Sequence, residues 1–184
     1  MENLLALDYE LLKYINGIWH HSFLDVFFSV FRNKYIWIPL YFFIIIFCVF
    51  NFRKAWLYIF VMVLTVTLAD VCSSHILKKN VKRLRPCNNE ILKETFRPVV
   101  GCGRSFSFTS SHAANHFSLA VILSFILPIA VGSKFLLFLW ASTICYAQVY
   151  VGVHYPSDVI CGALLGALIA FIVYASFKKF LISS

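Results

Sequence analysis

The segment Val149-Tyr-Val-Gly-Val-His154-Tyr-Pro156-Ser-Asp158 sets an imidazole and a carboxylate four residues apart where a helix would begin. Pro156 suits a first helical turn, because the N–H it lacks has no partner there. Asp158 then falls where the helix dipole favours its ionised form. A carboxylate so placed can accept a hydrogen bond from one nitrogen of His154 and leave the other as a nucleophile. The same residues also read as an acidic helix cap beside a loop histidine. A second segment, Ser107-Phe-Thr-Ser110-Ser111-His112-Ala113-Ala114-Asn115-His116, opens another helix. Serine is a natural N-cap there, and the free backbone N–H groups form an anion site. His112 at that mouth could give a proton to a leaving oxygen, or be a histidine at a wet helix end. His116, one turn deeper, reads as a packing residue, a support for His112 or a metal ligand. The third segment is Lys78-Lys-Asn-Val-Lys-Arg-Leu-Arg85-Pro86. A lysine and an arginine seven apart lie on one side of a helix, a pairing that suits phosphate, and Pro86 would end that helix. A basic helix end meeting its own dipole and lipid phosphates explains the same residues. Cations, an anion-binding helix mouth, a proton donor and an oriented nucleophile are together what phosphoryl transfer needs.

The elements that must hold these segments are membrane helices. The 184-residue chain is 61% hydrophobic and 13% charged, with a mean hydropathy of +0.82. A soluble domain is nearer half apolar and a quarter charged, so a cytosolic globule, a disordered chain, a coiled coil and a nucleic-acid-binding domain all fit poorly. A bilayer core of ~30 Å needs ~20 mainly apolar helical residues. Five stretches meet this, and transmembrane helices are expected at 35–52, 56–77, 113–131, 135–151 and 156–177. Residues 1–33 hold two shorter segments carrying Asp8, Glu10, Lys13 and Asp25 among apolar residues. They read as amphipathic helices at the membrane interface, split near Asn16–Gly17. Residues 78–111 are the candidate catalytic loop of a single domain, 1–184. No secretory signal is expected. Gly162-Ala-Leu-Leu-Gly166 predicts close helix packing inside the molecule.

With five crossings, all three polar segments share one membrane face. The net charge of +8 has a matching pattern, since eight of sixteen Lys and Arg lie between Lys78 and Arg104. A simple positive-inside count would place that loop in the cytoplasm. The alternative puts Arg53, Lys54, Lys134, Lys178 and Lys179 there and the loop outside, its basic cluster reserved for binding. Cys87 and Cys102 both lie in the loop, where they form either a disulfide, viable in an oxidising compartment, or two free thiols. The outer orientation is the expected one: an inner-membrane protein with its site facing the periplasm or exterior.

Over more than half the chain, from Leu77 onward, the sequence resembles the type-2 phosphatidic acid phosphatase (PAP2) superfamily of membrane lipid phosphatases. Lys78 with Arg85-Pro86 matches the first family block. Thr109-Ser110-Ser111-His112 matches the serine and histidine of the second, Pro-Ser-Gly-His. His154 and Asp158 match the third in spacing, while its Ser-Arg pair is replaced by Ala147-Gln148. The resemblance implies an all-α, PAP2/haloperoxidase-like helical bundle. It implies that His154 attacks phosphorus and forms a phosphohistidine, that Asp158 holds His154, and that His112 protonates the leaving group. Lys78, Arg85, Ser110 and the helix-mouth amides at Ser111 would bind the phosphate oxygens, and no metal or other cofactor is implied. Gln148 can donate a hydrogen bond but carries no charge. Arg104 could supply the missing one, as could Lys79, Lys82 or Arg83.

The function these residues point to is hydrolysis of a phosphate monoester or diphosphate on a membrane lipid. Undecaprenyl diphosphate comes first, because the chain has little soluble mass for a large head group. Lipid A phosphate, phosphatidylglycerol phosphate and phosphatidate are the other substrates. The partners expected are the lipid and the bilayer, with no nucleic acid and no obligatory protein. Two other classes compete: a membrane hydrolase using a metal held by His112, His116, His154 and Asp158, and a lipid-phosphate-binding protein without turnover.

Overall fold

A computed structural model describes residues 2–92 and 96–182; Lys93 and Glu94 of the basic loop fall outside them. The described residues are helical with no strand. α1 (Glu2–Leu12) runs on through wider turns to Ile18, and α2 spans Ser22–Phe31. α3 (Ile38–Asn51), α4 (Ala55–Asp70), α6 (Ser111–Ile126), α7 (Val131–Tyr150) and α8 (Pro156–Ile182) are the long apolar helices. The four-residue α5 (Lys78–Val81) continues α4 through the turns Val71–Leu77. Three stretches, Lys34–Asn51, Ala55–Asn88 and Pro156–Leu181, are long and apolar enough to cross a membrane by length and composition. The chain is an all-helical membrane protein.

α6 is the central helix and packs on α4, α7 and α8. It can be central because its surface is small: Ala113, Ala114, Ser118 and Ala120 are buried. α8 approaches it through the glycine pair the sequence singled out. A Cβ on Gly162 would meet the Ser110 carbonyl, and one on Gly166 the Ala114 carbonyl. The pair therefore serves packing within the molecule, where lipid offers no hydrophobic drive and close backbone contact does the work.

The N-terminal helices differ from their sequence reading in one respect. Asp8, Asn16 and Asp25 face protein, while Glu10 and Lys13 are exposed. Asp8 and Asn16 are buried. Asn16 Nδ2 donates to the carbonyls of Arg97 (2.9 Å) and Tyr150 (2.8 Å). Asp25 takes both Nη groups of Arg97 at 2.7 Å and the Tyr150 hydroxyl at 2.8 Å. The segment from Asp8 to Asp25 thus clamps the end of the bundle that carries the three polar segments. The cause is the set of polar groups on the loop and at the end of α7, which need partners once water is excluded.

The end of α5 is also a correction. The helix stops at Val81, with Lys82 in the left-handed region at φ 52°. Arg85 therefore does not share a helical face with Lys78. It comes near because the chain turns back, and Pro86 opens a separate 3₁₀ turn. Cys87 and Cys102 are joined as a disulfide, Cα–Cα 5.9 Å, which closes the loop over this turn.

Candidate active site

His154 sits in the short turn between α7 and α8, set there by Gly152. That glycine has φ +77°, and a Cβ would collide with the Phe96 ring. The Gln148 carbonyl ends α7 by accepting from both Val153 N (3.1 Å) and His154 N (3.3 Å). His154 is 1% exposed. Its Nδ1 lies 3.3 Å from Ser107 Oγ and 3.6 Å from Asp158 Oδ2. Ser107 Oγ in turn donates a short hydrogen bond to Asp158 Oδ2. The serine hydroxyl thus bridges imidazole and carboxylate. This fixes the proton on Nδ1 and leaves the Nε2 lone pair for attack.

Asp158, fully buried, is held on every side. Tyr155 N–H donates to Oδ2 at 3.0 Å and Arg83 Nη1 to Oδ1 at 2.7 Å. Arg83 Nη2 donates at 2.7 Å to Asp8 Oδ2, so one guanidinium joins α8 to α1. Asp8 also accepts from Ser157 N (2.9 Å) and, by a short bond, from Ser157 Oγ. The guanidinium carbon lies 3.8 Å above the Tyr155 ring, a cation–π contact.

Burial pushes the His154 pKa down to about 4, with Arg85 and Lys78 adding to the fall and Asp158 opposing it. The imidazole is therefore the free base at neutral pH. In a histidine NMR titration His154 is expected to stay neutral from pH 8 to pH 5 and to take up a proton only near 4. Asp158→Asn, which removes the opposing charge, should lower that value further. A step at the ordinary ~6.5 would contradict the buried geometry.

Besides Arg83, three cations lie at this end of the bundle. Lys78 and Arg85 are buried. Arg85 gives Nε to the Ser105 carbonyl (2.8 Å), Nη2 to Ser105 Oγ (2.9 Å) and Nη1 to the Val153 carbonyl (3.2 Å). The third, Arg32, was not anticipated. It follows α2 and donates Nε to Gln148 Oε1 at 3.2 Å. Ser110 caps α6, its Oγ accepting from Ala113 N at 3.4 Å, and its own N–H donates to the Asp158 carbonyl at 3.0 Å. The Ser111 and His112 amides are left with no intrahelical acceptor. Ser111 Oγ meets Ser74 Oγ at 2.7 Å. Burial, with His116, Arg32, His154 and Lys78 nearby, pushes the His112 pKa down to about 3, so this ring is neutral until an anion joins it. His116 Nδ1 bonds the His112 carbonyl at 2.7 Å, and its ring packs edge-on against Trp140, so it supports the turn that carries His112.

Of the sequence-chosen residues, His154, Asp158, His112, Lys78, Arg85, Ser110, Ser111 and Gln148 lie at this end of the bundle. Arg104, Lys79 and Lys82 are exposed on the loop, and Arg83 is committed to two carboxylates. Ser107, Asp8 and Arg32 were missed. Ser107 carried a signal, as the first hydroxyl of the segment opening α6. Among the described residues no three histidine, cysteine or carboxylate side chains form a metal-binding group. An apolar cavity of about 500 Å³ between α3, α4 and α6 leads to His112. It is lined by Ile44, Met62, Val66 and Leu119, with Asp70 and Asn115 near its polar end.

The family model of the PAP2 superfamily matches residues 54–182. The chain is 38% identical over 178 residues to the lipid A 4'-phosphatase of Bacteroides thetaiotaomicron, covering 95% of this chain and 78% of that one. It is 32% identical over 181 residues to the undecaprenyl-diphosphatase of Sulfolobus acidocaldarius, covering 93% and 79%. The crystal structure of Aquifex aeolicus LpxE superposes with a TM-score of 0.73 at 34% identity, covering 90% of this chain and 93% of that one.

Proposed function

The chain belongs to the PAP2 superfamily and is a membrane lipid phosphatase, and on that premise we propose that it removes the phosphate monoester of a lipid A-type glycolipid through a phosphohistidine at His154. The observation that carries this reading is a buried, neutral imidazole whose Nδ1 is tied to Asp158 through Ser107, set among cations that lack a carboxylate partner. His154 Nε2 attacks phosphorus as the phosphorus–oxygen bond to the lipid breaks. The positive charge that develops on the ring is met by Asp158. A phosphate dianion beside His112 raises that ring's proton affinity, and the His112 imidazolium gives its proton to the departing alkoxide. Water then attacks the phosphorus, His112 takes the water's proton, and the phosphorus–nitrogen bond breaks to release phosphate. No step needs a metal. The cavity beside His112 suits an acyl chain.

The substrate choice rests on the Bacteroides relative. The Sulfolobus relative supports undecaprenyl diphosphate, the substrate expected from size alone. The active site is assigned to the periplasmic or outer face of the inner membrane, where the Cys87–Cys102 bridge would persist.

Phosphate release from purified protein given lipid A 4'-phosphate, undecaprenyl diphosphate, phosphatidylglycerol phosphate or phosphatidate tests these assignments. Lipid A 4'-phosphate should exceed the others in kcat/KM by about tenfold or more, with no change on exhaustive chelation. A faster reaction with undecaprenyl diphosphate would reverse the substrate assignment. Loss of activity with chelator would end the metal-free mechanism, and lipid binding without phosphate release would favour the non-enzymatic reading.

A further inference from the structure

Arg32 reaches the site from a part of the chain that carries none of the three polar segments. It follows the last residue of α2, where its N–H donates to the Phe28 carbonyl at 3.1 Å. The backbone there is anchored by aromatic packing. Phe31 packs edge-on against Trp37 (centroids 4.7 Å apart), Trp37 packs likewise against Trp140 (5.4 Å), and Trp37 Nε1 donates to the Phe31 carbonyl at 2.9 Å. From this anchor the side chain meets Gln148, 116 residues away, in a single hydrogen bond from Nε to Oε1.

That one bond has two consequences. An arginine N–H can only donate, so it must face the amide oxygen of Gln148, and the amide nitrogen is thereby turned the other way. Gln148 is fully buried, and its Nε2 has no hydrogen-bond partner among the described residues. A buried N–H pair left unpaired is costly, so a ligand acceptor is the natural occupant. Second, among the described residues Nε is the only atom of the Arg32 side chain engaged, which leaves the planar Nη fork open. The Gln148 backbone carbonyl holds the N–H of His154, and the Arg32 charge is felt at His112, so amide and guanidinium belong to the same end of the bundle as both histidines.

The charges agree. Arg83 engages both Asp8 and Asp158, and Arg97 engages Asp25. Arg32, Lys78 and Arg85 form no ion pair with a carboxylate among the described residues. Arg32 and Arg85 are close enough to repel each other. Several like charges at a half-buried site, each without a counter-ion, are held together only if an anion completes them.

We infer that Arg32, gripped by Gln148, is the arginine that binds the transferring phosphoryl group, with the Gln148 amide nitrogen as a second donor. The charge that the superfamily resemblance expects at position 148 is supplied instead from the end of α2. This inference rests on the phosphatase reading of the same site. It makes α2 part of the phosphate pocket and gives Gln148 a definite role.

The test compares wild type with Arg32→Gln, Arg32→Lys, Gln148→Arg and the double variant Arg32→Gln/Gln148→Arg. The readouts are kcat/KM on the best lipid substrate, inhibition by inorganic phosphate and by orthovanadate, and thermal unfolding in detergent. Arg32→Gln should lower kcat/KM by about tenfold to a hundredfold, the worth of one charged contact. It should weaken phosphate and vanadate inhibition in parallel, with little change in melting temperature. Arg32→Lys keeps the charge without the fork and should fall between. The double variant, which moves the guanidinium to position 148, should recover at least about tenfold over Arg32→Gln.

Full activity in Arg32→Gln, or reduced activity with unchanged phosphate inhibition, would overturn the inference. If Arg32→Gln fails to fold, the phosphate inhibition of Arg32→Lys decides in its place, and wild-type values there would equally overturn it. His154→Ala, run in parallel, separates the two claims. Wild-type phosphate release by His154→Ala defeats the phosphatase mechanism. An inactive His154→Ala beside a fully active Arg32→Gln defeats only the role of Arg32.

Discussion

His154→Ala is expected to abolish turnover, lowering kcat by about 10⁴-fold or more, the scale seen when a covalent nucleophile is removed. The reason is geometric. His154 is the imidazole with Nδ1 tied to Ser107 and Asp158. His116 does not match it, because its Nδ1 bonds a backbone carbonyl and not a carboxylate network, and its Nε2 meets the Tyr41 hydroxyl at 3.4 Å. His112 opens α6 and is not bridged to Asp158. Brief reaction with radiolabelled substrate and acid-free quenching should trap an acid-labile, base-stable phosphoryl-enzyme in wild type and none in His154→Ala. Asp158→Asn should keep the nucleophile and lose its orientation and charge balance, at about 10²–10⁴-fold in kcat. Equal phosphate release by His154→Ala and wild type would dispose of the mechanism.

Arg83→Met is expected to be the most destabilising single change at this end of the molecule, at about 3–5 kcal/mol. Arg83 is 17% exposed at its side chain, and it is the cation between Asp8, 5% exposed, and Asp158, fully buried. Removing it leaves two buried carboxylates facing each other without a positive charge. The loss should appear as a lower unfolding midpoint in detergent. Adding Asp8→Asn should return part of it, since one of the two orphaned charges is then gone. That coupling separates a charge effect from lost packing against Tyr155, and a midpoint within one or two degrees of wild type would refute the network's importance. Activity should fall as well, because Asp158 would lose the contact that fixes Oδ1.

The candidate site was legible where its geometry is local. His154 and Asp158 are four apart, and Ser110 caps the helix that begins with Ser111 and His112. The long apolar runs were legible because hydrocarbon demands length. What escaped notice depends on contacts between distant segments. Ser107 meets Asp158 across 51 residues, Ser157 meets Asp8 across 149, and Arg32 meets Gln148 across 116. No periodicity records such pairings. Asp8 and Asn16 looked like the wet side of amphipathic helices because sequence pattern cannot tell water from a protein donor as the polar neighbour. Arg85 reached Lys78 by a left-handed residue at Lys82, a conformation that lysine does not advertise.

The two glycines of α8 have a bearing on catalysis far from the phosphate. α8 carries Asp158 at its start, and α6 carries His112 at its own. Gly162 and Gly166 mesh with the carbonyls of Ser110 and Ala114, with only the small Ala113 methyl beside them. Sliding one rod along the other would drive larger neighbours into that seam. The spacing between His112 and Asp158 is therefore gauged by the backbone contact of two apolar helices. The basic loop can shift while this gauge holds.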